Sequence, residues 1–516
     1  MIYMMGRLAL KNPEARLFLL GFSTELVFAL LLLARWGMTF CTGDATCHEY
    51  LVKLVLASGD IRHLGTHWLP LLHILMLPLV RLDFLYTTRL AGALVNSVAT
   101  GLLCVYLYKL IGDRGAGLAA PIILMCNAYT LIFGATPMTE QLAALLIVAS
   151  AYHIRRYLTS KRLSEFLKAS AFLVAGSLTR YEIWLVAGLA SLALLLVELR
   201  RRNLRALLAL PLPLTGVLAW LAWNYYITLS YYGQGNPLYF MTGHGFYAKV
   251  YLTLVSPLRQ LSVALAMVFA VSGVMLGPSL LMLKRWLSER DYVGFFVGFL
   301  LLSHMFIHLA LVLARLSFGW ARYFYPSLPG MIFCSYRFYE RGLKMSKLPA
   351  QTALKTMLKR LFPLVILAYP VHGFLLATGY LPDICFNELS QYRQEFAQMA
   401  QVIGDGRVLI GPHANIWFAV LTGMDPSQIV DGYDGELFIR AMERPWDYVD
   451  FVIVEKKLKD DPLLQGLNEV FHGKFYVYRL YHDEAWRADF LAHFELVLET
   501  EHFLLYGLKA HEAKVN

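Results

Sequence analysis

The chain has 516 residues, of which 58% are hydrophobic and 16% are charged, and its mean hydropathy is +0.52. A soluble globular protein is about half apolar and about a quarter charged. This composition, together with uncharged runs long enough to cross a bilayer, excludes a cytosolic enzyme, a secreted domain and a disordered scaffold, and indicates a membrane protein.

The net charge of +10 is unevenly distributed along the chain. Residues 1–379 contain 34 Lys and Arg against 14 Asp and Glu, whereas residues 380–516 contain 12 against 22. Basic loops orient membrane proteins, so the basic excess does not indicate a nucleic-acid partner. The acidic end of the chain predicts a water-soluble domain.

The first apolar run, residues 17–34, follows three basic residues and is not followed by a small-residue cleavage site. We therefore expect a retained membrane anchor rather than a removed signal peptide. Ten further runs predict a total of about eleven transmembrane helices. These runs cover residues 89–110, 116–134, 137–154, 165–179, 183–199, 206–228, 257–283, 292–313, 322–337 and 361–379.

The loop charges predict the orientation. If the N-terminus is cytoplasmic and the spans alternate, most Lys and Arg before residue 380 fall in cytoplasmic segments, as the positive-inside rule requires. An odd number of spans then places the C-terminal domain outside the cytoplasm. We expect a multi-pass protein of the cell (plasma) membrane.

Two domains are predicted, a transmembrane domain over residues 1–380 and an extracytoplasmic α/β domain over residues 381–516. The second shows a helical pattern followed by short apolar runs of strand length, which is typical of a small layered α/β structure. The helix is expected at 387–403 and the strands at 407–410, 450–454, 475–480 and 502–506.

A long outer loop, residues 37–88, follows the first span. It contains an amphipathic stretch, which runs to residue 60, and a short apolar stretch ending near Arg81. Each is too short to cross a membrane, which indicates helices lying in the interface plane as a roof over the outer face. Asp44 stands at the start of the first stretch, a position where an acidic residue can also simply cap a helix.

Other ionisable residues are expected at the same outer level. Glu140 begins the fourth span, Arg180 and Glu182 occupy the next outer turn, and Arg322 lies in a later turn. Such residues at one membrane face can reach a cavity among the helices. Arginine grips a phosphate bidentately and a carboxylate accepts a proton from a hydroxyl, so the set fits a reaction on an anionic lipid-linked substrate.

Several motifs resemble the GT-C glycosyltransferases (glycosyltransferase family 39-like), especially the branch of protein O-mannosyltransferases and bacterial lipid A aminoarabinose transferase. The resemblance covers the membrane region, and the soluble domain agrees in architecture alone. The motifs are Gly43-Asp44-Ala45, Trp68-Leu-Pro-Leu, Met138-Thr-Glu140, Thr179-Arg-Tyr-Glu182 and Arg322-Tyr-Phe-Tyr-Pro326.

This resemblance implies a polytopic GT-C fold and an enzyme that transfers a hexose or pentose, such as mannose, from a polyprenyl (dolichyl or undecaprenyl) monophosphate. The acceptor would be a hydroxyl of a lipid, protein or glycan outside the cytoplasm. Asp44 falls where these enzymes place their first-loop catalytic aspartate. Many relatives have Asp-Glu there, whereas here Ala45 follows and the next acid is Glu49, so the base remains open between Asp44 and Glu140.

The remaining roles follow the same resemblance. The donor-phosphate ligands are expected to be Arg180, Arg322 and Tyr323, with Glu49 as a further candidate catalytic acid. A metal is not required by the leaving group, although Asp44 and Glu140 could share a divalent cation such as Mg²⁺ or Mn²⁺. The candidate substrate-binding residues are His67, Trp68, Tyr181, Glu182 and His244.

His304 and His308 are four positions apart in one span, a spacing that could hold a metal. A hydrogen-bonding pair within the helix bundle is the favoured interpretation of these two histidines.

Two alternatives belong to other functional classes. A transporter or flippase for lipid-linked or small substrates would show ionisable residues near the membrane midplane and halves related by a repeat, and neither is evident in the sequence. A ligase or polymerase acting on diphosphate-linked glycans shares the donor class and is poorly separated by sequence alone.

Overall fold

The structure is a computed structural model. It describes residues 12–37, 39, 43–64, 68–112, 114–232, 256–317, 320–345, 388–411, 415–432, 434–460, 462–471 and 473–509. The N-terminal region of the described chain is entirely helical. Its helices are α1 (Pro13–Trp36), α2 (Gly43–Ser58), α3 (Leu71–Val80), α4 (Asp83–Thr87), α5 (Leu90–Ile111), α6 (Arg114–Met125), α7 (Ala128–Gly134), α8 (Thr139–Ser160), α9 (Leu163–Ser177), α10 (Glu182–Arg201), α11 (Leu204–Ala209), α12 (Thr215–Tyr232), α13 (Pro257–Ser272), α14 (Leu276–Ser288), α15 (Tyr292–Leu313), α16 (Ala321–Phe324) and α17 (Leu328–Met345).

Five stretches of the described residues are helical, long and apolar enough to cross a membrane, and they coincide with predicted spans. They are Pro13–Arg35, Leu90–Ile111, Glu182–Arg201, Leu207–Ser230 and Tyr292–Leu313. The predicted spans 116–134 and 257–283 are each broken into two helices, bent by 77° and 91°, and raise the number to seven if each pair crosses once.

Of the other four predicted spans, three lie within the described residues and are not long apolar helices of this kind. These three correspond to α8, α9 and α17, of which α9 has only 15 residues and the other two carry several charged side chains. The last, 361–379, lies outside the described residues. The count of eleven therefore stays a prediction.

Local chemistry explains the two breaks. Asn127 is the N-cap of α7 in the 116–134 pair, because its Oδ1 accepts the backbone N–H of Tyr129 at 3.0 Å, so that a new helix begins with only two residues between it and the end of α6 at Met125. Gly273 has φ +53°, a left-handed conformation that favours glycine, and it stands between α13 and α14. Both features interrupt a run that hydropathy alone predicts as continuous.

The anchor helix α1 packs closely on α5 through glycines. A Cβ atom placed on Gly101 would lie 2.7 Å from Phe18, and one on Gly21 would lie 3.0 Å from the Cα of Gly101. Small residues at such crossings let two backbones approach inside a membrane, where dispersion and not the hydrophobic effect drives helix packing.

The C-terminal region forms a five-stranded sheet in the order β2-β1-β3-β5-β4. Strands β1, β2 and β3 are parallel, and β5 pairs antiparallel with both β3 and β4. The elements are α18 (Glu388–Ile403), β1 (Val408–Ile410), α19 (Asn415–Thr422), β2 (Ile429–Val430), α20 (Glu436–Glu443), β3 (Phe451–Glu455), α21 (Pro462–Val470), α22 (Tyr476–His482), α23 (Glu484–His493), β4 (Phe494–Glu499) and β5 (Phe503–Leu508).

The sequence correctly predicted the helix at 387–403 and three of the strands, but the strand prediction at 475–480 is wrong. This segment is α22. Tyr476, Val477 and Leu480 lie at i, i+1 and i+4, so a helix buries all three on one face, and the Tyr476 hydroxyl donates to the carbonyl of Ile453 at 2.6 Å. Their aromatic and β-branched character made the run resemble a strand.

The first predicted roof stretch forms α2, and this helix is buried on nearly every side. Its residues Tyr50, Leu51 and Leu54 pack with Phe396 and Phe418 of the C-terminal domain in one apolar cluster. The helix is therefore covered by the C-terminal domain, and not simply exposed at an interface as the amphipathic pattern suggested.

Candidate active site

Three carboxylates stand at helix starts on the same end of the bundle. Asp44 is in the first turn of α2, Glu140 in the first turn of α8, and Glu182 is the first residue of α10. A negative charge is favoured at these positions because unpaired backbone N–H groups and the helix dipole face it. The helices thus bring acids far apart in sequence to neighbouring points.

Asp44 forms an ion pair with Arg322, through Oδ2 and Nη1. Arg322 is 5% exposed, and its Nη2 donates to the hydroxyl of Tyr323 at 3.2 Å. Its guanidinium also lies over the ring of Trp320, 4.5 Å from the ring centre. The carboxylate of Asp44 remains partly accessible, with a side-chain exposure of 27%.

Arg180, in the turn between α9 and α10, bridges the other two carboxylates. Its Nη1 donates to Glu140 Oε1 at 2.7 Å, and its Nε and Nη2 donate to the two oxygens of Glu182 at 3.2 Å each. Burial alone would lower the pKa of Arg180, but the carboxylates of Glu182 and Glu140 raise this pKa above its ordinary value. The guanidinium is therefore permanently charged.

Tyr323 connects the two ion pairs. The guanidinium carbon of Arg322 lies 5.0 Å from the centre of its ring and that of Arg180 lies 5.5 Å from it. His308 stacks on the same ring at 4.7 Å with an angle of 8° between the planes. The predicted residues Asp44, Glu140, Arg180, Glu182, Arg322 and Tyr323 are thus brought together in one cluster.

His308 is a member of this cluster that the sequence did not assign to it. Its Nε2 lies 2.6 Å from Glu182 Oε1, and Nε2 of His304 lies 3.8 Å from Glu182 Oε2. The two histidines therefore meet the carboxylate rather than simply bonding each other. A pair of histidines in an apolar span signals a buried polar partner, but the sequence does not say which residue supplies it.

The segment before Glu140 is fixed by α5. Asn96 Nδ2 donates to the carbonyls of Thr136 and Met138 at 2.6 and 2.7 Å. Gly92 lies so close to Pro137 that a Cβ on it would be 2.1 Å from the proline Cβ. These contacts set the position at which α8, and with it Glu140, begins.

A neutral histidine pair lies beside the arginines. His48 Nδ1 is 2.8 Å from His73 Nε2, and the indole of Trp68 contacts the His48 ring edge-on at 5.0 Å. Burial, together with the charges of Arg180 and Arg322, lowers the pKa of His48 to about 3. Trp68 also donates from Nε1 to Cys47 Sγ at 3.2 Å.

The predicted catalytic acid Glu49 is placed apart from the arginine cluster. Its Oε1 accepts the backbone N–H of Gly92 at 2.8 Å, and its Oε2 lies 3.7 Å from Arg89 Nη1. Burial raises the pKa of Glu49 to about 7, against the opposing effect of Arg89 and the Gly92 hydrogen bond. These contacts join α2 to the start of α5.

The other predicted substrate-binding residues are Tyr181, which packs among tryptophans, and two histidines. The ring of Tyr181 packs edge-to-face on Trp184 at 5.2 Å and on Trp220 at 5.3 Å. His67 and His244 lie outside the described residues.

Comparison with known proteins defines the class of fold. The chain resembles the crystal structure of ArnT from Cupriavidus metallidurans bound to undecaprenyl phosphate, with a TM-score of 0.54, 12% sequence identity, and coverage of 95% of this chain and 97% of that chain. No protein-family model and no curated protein matches the sequence. The chain is therefore a polytopic α-helical membrane protein with the GT-C type of fold and a small C-terminal sheet domain.

Proposed function

We propose that the chain is a membrane glycosyltransferase that moves a monosaccharide from a polyprenyl monophosphate to a hydroxyl acceptor at the outer face of the membrane. The observation that carries this proposal is the sharing of Tyr323 by two largely buried arginines, each of which holds at least one carboxylate at a helix start. Anion-binding and proton-accepting groups thereby stand side by side.

The fold supports the donor class. ArnT, whose fold this chain resembles over nearly its full length, is bound to undecaprenyl phosphate in its crystal structure. Arginine suits a phosphate because its planar fork makes two parallel charge-assisted hydrogen bonds. Arg322, Arg180 and the hydroxyl of Tyr323 are the proposed ligands of the donor phosphate.

The reaction needs few groups because the leaving group is already activated. The acceptor oxygen attacks the anomeric carbon, the bond from that carbon to the phosphate oxygen breaks, and the acceptor proton passes to a carboxylate. Attack from the side opposite the phosphate inverts the anomeric centre. Electrostatic stabilisation of the departing phosphate and a positioned base are then sufficient.

The pair of Asp44 and Arg322 suggests how donor binding prepares the base. A phosphate that takes hydrogen bonds from Arg322 competes with the Asp44 carboxylate for the same guanidinium. Asp44 is thereby released from its partner and can accept the acceptor proton. The donor would in this way activate the base that its own transfer requires.

Glu140 is proposed as a second acid that orients the acceptor. Arg180 holds its Oε1, whereas Oε2 has no hydrogen-bond partner within the described part of the chain. A buried oxygen without a partner favours a hydroxyl ligand. Glu140 is also the alternative base, and no metal shared with Asp44 is needed for either role.

The proposed orientation follows from the helices that begin at the cluster. Helix α8 begins beside Glu140 and ends after Arg155 and Arg156, and α10 begins at Glu182 and ends in a run of arginines. The positive-inside rule then places those far ends in the cytoplasm. The cluster and the domain at 381–516, which covers α2, would lie outside.

Transfer by the purified protein tests the proposal. Radiolabelled polyprenyl-phosphate sugars are supplied with lipid, peptide and glycan acceptors, and Asp44→Asn is expected to slow transfer by at least about 100-fold, the usual contribution of a positioned base. Glu140→Gln should also slow it. Asp83→Asn is the matched control, because Asp83 is an acid in the first turn of α4 whose side chain is 82% exposed and bound to Lys53.

The proposal fails if the folded wild-type protein turns over no donor faster than Asp44→Asn and Glu140→Gln do with any acceptor. Equal losses in Asp83→Asn would likewise contradict a specific role for Asp44.

A further inference from the structure

Three potential metal ligands meet beside Tyr323. Glu182 lies at the start of α10, and His304 and His308 lie one turn apart on α15. One donor atom of each residue lies within 4.8 Å of the others. Two imidazoles and a carboxylate from two packed helices form a donor set typical of a zinc site with a fourth position open.

His304 supplies a second and independent observation. The residue is fully buried, with 0% exposure, and neither of its ring nitrogens makes a hydrogen bond within the described residues. Its Nε2 lies 3.8 Å from Glu182 Oε2, and the ring also has a weak interaction with the backbone of Tyr323 that falls outside hydrogen-bond geometry. Because buried polar groups are normally satisfied, this ring has an unfilled capacity for a ligand, and it points at Glu182.

The charges of the cluster also favour a cation. Within the described ranges, ion pairs join Asp44, Glu140 and Glu182 to Arg180 and Arg322, and Glu182 also contacts the imidazoles of His304 and His308. With neutral histidines, one negative charge is uncompensated. A divalent cation would leave the cluster with one positive charge, which matches the single negative charge of a phosphodiester donor.

We propose that Glu182, His304 and His308 bind a divalent transition metal of the Zn²⁺ type. Zinc binds nitrogen and oxygen at about 2.0–2.2 Å in a tetrahedron, so ligand atoms stand about 3.4 Å apart. The observed separations, 2.6 Å for His308 and 3.8 Å for His304 from the carboxylate oxygens, lie on either side of that value. Small shifts of the three side chains would therefore bring their ligand atoms to the spacing that zinc requires.

Neighbouring residues form hydrogen bonds to two of the proposed ligands, as is usual around bound metals. Ser317 Oγ lies 3.4 Å from His308 Nδ1, the nitrogen that would face away from the metal. Arg180 holds both oxygens of Glu182 from another direction. Such outer contacts fix the orientation of metal ligands and tune their basicity. The resulting role, added positive charge for the departing phosphate, rests on the proposed function, whereas metal binding itself does not.

Metal binding by tag-free protein tests the inference. The purified protein is stripped with a chelator and titrated with Zn²⁺, and Co²⁺ is used in parallel because its visible absorption reports nitrogen ligands. We expect about one tightly bound ion per chain in the wild type. His304→Gln and His308→Gln should each weaken binding by at least about tenfold.

His153→Gln is the matched control, because His153 is also buried and paired with a carboxylate, Glu165 Oε2 at 2.7 Å, but stands in α8 away from the proposed ligands. It should bind the metal as the wild type does. Anomalous diffraction from zinc-soaked wild-type crystals gives a measurement that needs no variant, with a peak expected between the three side chains.

Equal zinc affinity in His304→Gln and the wild type would overturn the inference, and so would an anomalous peak at Asp44 and Glu140 or none at all. Asp44→Asn separates the two proposals, because it should lose transfer while retaining the metal. A protein that transfers sugar without binding zinc contradicts only the metal site, and one that binds zinc without transfer contradicts only the glycosyltransferase proposal.

Discussion

The hydroxyl of Tyr50 donates a 3.1 Å hydrogen bond to Oδ2 of Asp431, a residue 381 positions further along the chain. Tyr50 is on α2, the helix that starts with the Asp44 turn, and Asp431 follows β2 of the C-terminal sheet. Both residues are completely buried. The C-terminal domain therefore packs against, and forms a buried hydrogen bond with, the helix that carries the proposed base.

Removal of this contact should weaken both stability and transfer. Tyr50→Phe takes a donor from a buried carboxylate, which typically costs about 2 kcal/mol when the acceptor is charged. The melting temperature in detergent should fall, and transfer should fall further because α2 can shift. Tyr392→Phe, which loses only a 3.4 Å contact with Lys457, is the control. Equal melting temperatures for the two variants would contradict the role given to Tyr50.

Asp434 lies beside Asp431, and its raised pKa leads us to expect that the stability of the protein depends on pH. Its Oδ2 accepts the backbone N–H of Asp431 at 2.8 Å, and burial together with the charge of Asp431 raises the pKa of Asp434 to about 8. The unfolded chain has a pKa of about 3.9 at an aspartate. The folded state binds the proton more tightly, so this contribution to stability is complete below about pH 4 and is lost as the pH rises to about 8.

Asp434→Asn should accordingly flatten the pH dependence of the melting temperature between about pH 5 and pH 8. Asp447→Asn, at the surface of the same domain, is the matched variant. Melting curves of the three proteins at both pH values provide the measurement. A wild type whose melting temperature changes between these pH values no more than that of Asp434→Asn would contradict the raised pKa of Asp434.

Arg180→Ala tests the bridge between the carboxylates of Glu140, which is buried, and Glu182, which is largely buried. Removing the guanidinium leaves Glu140 and Glu182 without their shared partner, and breaking a buried pair in this way typically costs about 3–5 kcal/mol. Thermal unfolding in detergent should show a large loss, and transfer should be abolished. Arg440→Ala removes an exposed pair with Glu436 and should leave the melting temperature unchanged.

An Arg180→Ala variant with the melting temperature of the wild type would contradict the stabilising role given to this bridge.

Gly92→Ala tests the placement of Glu140. The added Cβ would lie 2.1 Å from the Cβ of Pro137 and 2.5 Å from its Cα, so the segment before α8 must move. We expect reduced transfer and a lower melting temperature. Gly188→Ala is the comparison, because a Cβ there meets nothing within 4 Å and alanine favours a helix. Similar transfer rates in both variants would indicate that the position of Glu140 is unimportant.

Much of the local structure could be predicted from the sequence. Five apolar runs are helices of membrane-spanning length, and the strands at β1, β3 and β5 follow β-branched and aromatic runs, because hydrophobic periodicity is a local property. The same reasoning missed the bend at Asn127, where one capping side chain overrides the surrounding hydropathy. It also misassigned α22, whose aromatic residues suit a strand but are buried on one helical face.

For the candidate site as well, some features could be predicted from the sequence and others could not. The sequence alone determined that the chain belongs in a membrane and which acids and arginines stand at helix starts and turns, because composition and chain order decide both. Only the tertiary structure decided that Asp44 pairs with Arg322, that Arg180 bridges Glu140 and Glu182, and that Glu49 turns instead to Arg89 and Gly92. Those partners depend on how helices distant in sequence pack, and a pattern of neighbouring residues holds no information about the packing angle.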